Sequence, residues 1–193
     1  MRHHTRYNIL YFVGVIAIFG ASLIYAVSTN RAVPVIIGLV ILFLLPSVIQ
    51  GFFWHDFFLG RRSLRKGQWI EAVHSYEKFL LRLKTHPFIR HLILLRWTSY
   101  TGSVEALTHS DIALARLNRG ELEQAEKSCH SALTCDPLYP VPWFHLALVE
   151  LMKGREAKAE ELWQKSRNLG YAKTDFNQLK QFASSLKKQV NLE

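Results

Sequence analysis

The sequence predicts an all-α protein: a two-helix transmembrane hairpin, then a helical-repeat (α-solenoid) domain closed by a C-terminal capping helix. Three observations predict it. Two long apolar stretches without a charge stand near the N-terminus. Glycine and alanine recur at a fixed 34-residue interval further on, with Gly120 and Ala125 returning as Gly154 and Ala159. Between and after these, apolar residues fall at i, i+3, i+4 and i+7, the spacing that puts them on one helix face.

The first element is a basic tail, 1–6, followed by the hairpin, 7–54. Its first span, 7–27, holds 21 residues without a charge. As a helix it would be about 31 Å long, the thickness of a bilayer's hydrocarbon core. Five residues, STNRA, lead to a second span, 33–54, of 22 residues. So short a link makes the two antiparallel. Pro34 falls in the first turn, where a missing N–H costs little, and Pro46 falls inside, where it kinks the helix.

Residues 1–52 carry three basic and no acidic side chains; 53–100 carry nine against three; 101–193 carry twelve against twelve. The net charge of +9 thus belongs to the first half. Arg2 and Arg6 flank the first span, and Arg61, Arg62, Arg65 and Lys66 follow the second. Basic flanks stay on the cytoplasmic side. The expectation is a multi-pass membrane protein, nearest to a bacterial inner-membrane one, with both termini and the repeat domain cytoplasmic. Neither span carries an Asp, Glu, Lys, Arg or His, which argues against a transporter acting alone.

Next come the paired helices. Leu117 recurs as Leu151, Cys129 as Trp163 and Cys135 as Leu169, all at the interval of the glycines. Each unit reads as a helix, a glycine stop and a second helix. Gly120 and Gly154 suit the left-handed residue that ends a helix. Ala125 and Ala159 are small where two helices cross. Asp136-Pro137 and Pro140-Val141-Pro142 stop one helix and start the next. An earlier unit at 53–86 shows Leu59-Gly60, Gly67, Ala72 and Tyr76. Its second helix, 68–84, has a clear stripe at Trp69, Ala72, Val73, Tyr76, Phe79, Leu80 and Leu83.

A 34-residue helix–turn–helix period resembles the tetratricopeptide repeat. Unit 140–173 has Trp143, Leu146, Ala147, Gly154, Ala159 and Trp163 where that family places its packing residues, with Tyr171 in place of a proline. Unit 106–139 matches at Leu117, Gly120, Ala125, Ala132 and Pro137 but lacks the early tryptophan. Unit 53–86 has Phe79 where a small residue is usual. The resemblance spans 55–193, broken by an extra helix at 87–105 and ended by a capping helix at 174–190. That last helix carries Leu179, Phe182 and Leu186 on one side and is expected to cover the open end of the stack.

PFIRHLILLRWTSYTG, 87–102, is too apolar to face water all round. It reads as a helix packed within the stack, or as an interfacial surface where Phe88 and Trp97 sit among basic residues. Arg61, Arg62, Arg65 and Lys66, with Arg90 and Arg96, form the expected contact with anionic lipid. The same mixture of basic and aromatic residues permits nucleic acid, but the neighbouring apolar spans favour lipid.

Chemistry is sparse. No phosphate-binding glycine loop, nucleophile elbow or HExxH is present, and the histidines lack ligand spacing. Cys129 and Cys135 lie about 9 Å apart along one helix axis, too far for a disulfide. No enzyme activity, cofactor or metal site is expected. In the family resembled, the first helix of each pair lines a concave face that commonly holds peptides. The resemblance then implies partner contacts at Leu107, Ser110, Asp111, Leu114 and Asn118, and at Val141, Phe144, His145, Leu148 and Met152. Only Asn118 has the character of a carboxylate-binding face, so an apolar helix or extended peptide fits better than an acidic chain end. The competing reading is that several of these residues pack internally. The expected function is a membrane-anchored scaffold or adaptor that gathers protein partners, with a self-assembling membrane effector or pore subunit, and hence a homo-oligomer, as the alternative.

Overall fold

The structure, a computed structural model, describes residues 50–95, 100–171 and 174–190, together with helical positions 13, 14, 17, 18, 20–22, 38, 40 and 48. Regular structure among the described residues is helical throughout. In chain order the α-helices are α1 (His55–Arg65), α2 (Trp69–Thr85), α3 (Val104–Asn118), α4 (Leu122–Cys135), α5 (Pro140–Met152), α6 (Glu156–Asn168) and α7 (Phe176–Val190). A 3-10 helix, Pro87–Leu95, stands between α2 and α3.

The turns explain why the helices come in pairs. Gly67, Gly120 and Gly154 have φ of 74°, 73° and 77°. Each follows the C-cap of the first helix of a pair, and one hydrogen-bond pattern closes all three turns. The amides of Gln68, Glu121 and Arg155 donate five residues back, to the carbonyls of Ser63, Arg116 and Glu150 at 3.0, 3.0 and 2.8 Å. The glycine amides donate three residues back, to Leu64, Leu117 and Leu151. This is the Schellman motif, which satisfies carbonyls the helix leaves open and requires a residue that enters positive φ without strain. Gly170 repeats the turn after α6 at φ 98°. Gly67 and Gly120 stand 53 residues apart, and the 19 residues of 87–105 account for the excess over 34.

Each helix packs on the next: α1 on α2, α2 on α3, α3 on α4, α4 on α5 and α5 on α6. The first helices also touch, α1 with α3 and α3 with α5, so they share one side of the stack. Ala125 and Ala159 are fully buried at the close crossings. Helix starts are built from local chemistry. Ser103 Oγ accepts the amide of Ala106 at 3.1 Å as the N-cap of α3, worth about 1 kcal/mol. Proline occupies the first turn of α5, where its missing N–H costs little.

The core has two main parts. One gathers Trp54, Phe57, Tyr76 and Phe79 around α1 and α2, with ring centroids 5.2–5.7 Å apart and mostly edge-to-face. The other gathers Leu117, Phe144, Leu148, Met152 and Trp163 around α3, α5 and α6. The stretch 87–105 joins the first core rather than forming one helix. Ile89 and Ile93 of the 3-10 helix are buried there, and the indole N–H of Trp54 donates to the Ile89 carbonyl at 3.3 Å. Residues 96–99 lie outside the described residues, and α3 begins afresh at its Ser103 cap.

The multi-pass membrane placement requires correction. No helix among the described residues is long and apolar enough to cross a membrane. The longest, α2, has 17 residues, about 26 Å of helix against a hydrocarbon core of about 30 Å. It also carries Glu71, Glu77, Lys78, Arg82 and Lys84. The basic tail 1–6 lies outside the described residues, as do the spans 7–27 and 33–54 apart from the positions named above and 50–54. Residues 51–53 are helical and run into α1 through Trp54, whose amide donates to Gln50 and whose carbonyl accepts from Phe58.

Candidate functional site

The inner side of the stack is the surface on which the expected partner contacts converge. It is pinned from behind by polar bonds between helices. Tyr76 Oη of α2 donates to Asp111 Oδ2 of α3 at 3.1 Å. Ser110 Oγ of α3 lies 3.3 Å from His145 Nδ1 of α5. Ser166 Oγ of α6 donates to the Pro140 carbonyl of α5 at 2.8 Å. Each bond joins elements that apolar packing alone would leave free to slide.

Six of the ten expected contact residues are buried: Leu107, Ser110, Phe144, His145, Leu148 and Met152. Asp111, Leu114, Asn118 and Val141 are half-buried. Of these, Asp111 is held by Tyr76, Asn118 donates its side-chain amide to the Leu114 carbonyl at 2.8 Å, and Val141 packs against the first core. His145 shows what the burial does electrostatically. Desolvation lowers its pKa from 6.5 to about 4, so the imidazole is neutral at physiological pH. It serves as a hydrogen-bonding core residue and not as an exposed base.

Phe144, Leu148 and Met152 share their cluster with the chain's own C-terminal helix, and the Tyr171 ring lies 5.0 Å from that of Phe144. α7 packs on α5 and α3, the inner helices of the last two pairs, rather than closing the end of the stack. Leu179, Ala183 and Leu186, spaced i, i+4, i+7, are buried in the same cluster as Leu117, Phe144, Leu148 and Met152. Phe176 meets the Trp163 ring at 5.3 Å, and Trp163 Nε1 donates to the Thr174 carbonyl at 3.3 Å. At the far end Val190 lies over Gly120, where a Cβ would stand 2.3 Å from Val190 Cγ1. Lys180 pairs with Glu156 at the exposed edge. The inner side of the last two pairs is therefore occupied by α7.

The sequence did not reveal that Asp56 and Glu150 are buried. Asp56 is held by Arg82 at 2.8 Å and Lys78 at 3.5 Å, tying α1 to α2. Glu150 is held by Arg155 at 2.5 Å and Lys158 at 3.0 Å across the turn from α5 to α6. For Glu150 the available signal was opposite charge five and eight residues away, a spacing common on solvated helices; the partners of Asp56 stand 22 and 26 residues away, beyond any local pattern. Both act as staples between paired helices.

Of the basic residues assigned to lipid, Arg61, Arg62, Arg65 and Lys66 are exposed at the end of α1. There Arg62 and Arg65 complement the helix C-terminus. Arg90 pairs with Glu105 at 2.5 Å beside an open cleft of about 550 Å³ that also includes Ser103 and Cys135. Arg96 lies outside the described residues. Cys129 is buried, and its thiol pKa is raised by burial; Cys135 is exposed and shifted the same way. Neither resembles an activated nucleophile, which needs a lowered pKa. Among the described residues no group of three His, Cys, Asp or Glu side chains is placed to hold a metal.

No protein-family model matches the chain, and no curated protein matches it in sequence.

Proposed function

We propose that this chain is a protein-binding scaffold, a tetratricopeptide-like stack whose inner groove takes an amphipathic helix from a partner protein. The observation that carries the reading is the seating of α7. An amphipathic helix already lies on α3 and α5, with three apolar side chains at i, i+4, i+7 buried among Leu117, Phe144, Leu148 and Met152. A helix laid into an apolar groove is a recurring mode of peptide recognition. The repeated turn supports the same reading, because stacked pairs hold such a groove at fixed curvature.

The groove selects by shape and apolar spacing more than by charge. Its buried polar groups are spent on each other, Ser110 on His145 and Tyr76 on Asp111. A photoreactive amino acid placed in the intact chain tests the proposal. At Leu114 or Asn118, on the inner side, irradiation in cells should give a discrete heterologous product. At Glu160, exposed on α6, it should not. Absence of a product from the inner positions, or equal products from both faces, contradicts the assignment.

A further inference from the structure

We propose that α7 is a displaceable internal competitor: it holds the groove of α3 and α5 in place of a partner's helix and leaves as a unit when one binds. This rests on the function proposed above and adds how access to the groove is controlled.

Three features make α7 separable from what it covers. Its helical start is self-contained. Asp175 Oδ1 accepts the Gln178 amide at 2.7 Å, while Gln178 Oε1 accepts the Asp175 amide at 3.3 Å, a reciprocal capping box that travels with the helix. Its seat is narrow: Leu179, Ala183 and Leu186 are buried, whereas Asn177, Gln178, Gln181, Phe182, Ser184, Ser185, Lys187, Lys188 and Gln189 are exposed. The inner helices beneath are held by bonds that α7 does not share, Ser110 to His145 and Ser166 to Pro140. Withdrawing α7 opens the cluster that holds Leu148 and Met152, with Tyr171 still against Phe144, and leaves those polar groups paired.

The far end of the seat depends on one glycine. Gly120 and Gly154 have nearly the same backbone, φ 73° and 77°, but only Gly120 has Val190 over it; a Cβ on Gly154 meets nothing within 4 Å. Alanine at either site strains the turn alike, and alanine at 120 also pushes α7 away. The pair separates release of α7 from turn strain. A partner must in turn outcompete a tethered helix whose effective concentration is of order mM. It would present apolar side chains at i, i+4, i+7 with a small residue in the middle, as α7 does.

The test uses the full chain and a fluorescent synthetic peptide of residues 174–190 as probe. Wild type and Gly154→Ala should bind it weakly. Gly120→Ala and Leu186→Asp should bind it at least about tenfold tighter, because the apparent affinity rises with the fraction of open groove. Leu186→Asp changes only the departing helix, so it carries the test if Gly120→Ala fails to fold, and far-UV circular dichroism reports on both. Equal affinity across all four chains overturns the proposal, as does peptide uptake coupled to wild-type dimerisation, which would assign the groove to a second copy. A tighter peptide without any cellular crosslink would remove the proposed function and leave the displaceable helix standing. A crosslinked partner bound equally by wild type and release variants would do the reverse.

Discussion

The first helical pair and the two after it close with the same glycine turn, but what packs behind the turn differs. Between α1 and α2 the core is aromatic, with Trp54, Phe57, Tyr76 and Phe79 wholly buried. Around α3 to α6 it is built from Leu, Met, Trp163 and fully buried alanines at 106, 113, 115, 125, 132, 147 and 159. The inner faces differ too. That of α3 and α5 is packed by α7, which makes no comparable contact with α1. The contrast teaches that the turn sets how two helices pair, while side-chain volume at the crossing sets how pairs stack. Small residues let α3 to α6 repeat at 34 residues. Bulky rings in the first pair are accommodated by a bare Gly60, where a Cβ would stand 2.9 Å from the Tyr76 ring, and by the 3-10 insertion that roofs Trp54.

Substitutions can break this contrast. Phe57→Ala should have the largest effect, about 3–5 kcal/mol, since a wholly buried ring leaves a cavity its rigid neighbours cannot fill. Urea unfolding should show it, and a loss below about 1 kcal/mol would mean the aromatic core is loose.

Acid should strain the second region more than the first. Unfolded His145 takes up a proton near pH 6.5, the folded residue only near pH 4. Between those values the unfolded state binds more protons, so this contribution is whole above pH 6.5 and is lost as pH falls toward 4, by at most about 3 kcal/mol. Burial lowers the His109 pKa as well, with the same sign. In His145→Gln the slope of stability against pH over that window should shrink; an unchanged slope would place the imidazole in water.

Gly60→Ala should cost about 1–3 kcal/mol by overpacking against Tyr76, with no effect on the α7 seat. Gly154→Ala should cost about 1–2 kcal/mol, for the left-handed backbone alone. Gly120→Ala should exceed Gly154→Ala by whatever the Val190 contact contributes, and thermal melts of the two variants give that difference directly. Lys180→Ala is the smallest, within about 0.5 kcal/mol, because the pair with Glu156 is exposed and screened.

Much of the stack was legible because its signals are local. Gly120 and Gly154 announced turns that need positive φ, and the apolar stripe of 68–84 foretold α2 within a residue at each end. The insertion was harder. PFIRHLILL is apolar at nearly every position, so periodicity could not separate a 3-10 helix from an α-helix. The destination of α7 was not legible at all. An amphipathic pattern states that a helix buries one face, not which surface receives it, and Leu179, Ala183 and Leu186 would suit an open stack end equally well. The same limit applies to the inner-face residues. Position within a unit put Phe144, Leu148 and Met152 on that side, but only packing reveals that they share a cluster with α7. The staples at Asp56 and Glu150 stayed hidden because their partners look like ordinary surface charges.

Amide hydrogen exchange across the intact chain, read at native pH without denaturant, addresses the seating of α7 most directly. Residues 176–190 should be protected and should open together, faster than α3 and α5 beneath them and well before global unfolding. Exchange of 176–190 at the rate of a free peptide would mean the helix never docks, and exchange only with the whole stack would mean it never leaves; either result would contradict a groove held by its own removable helix.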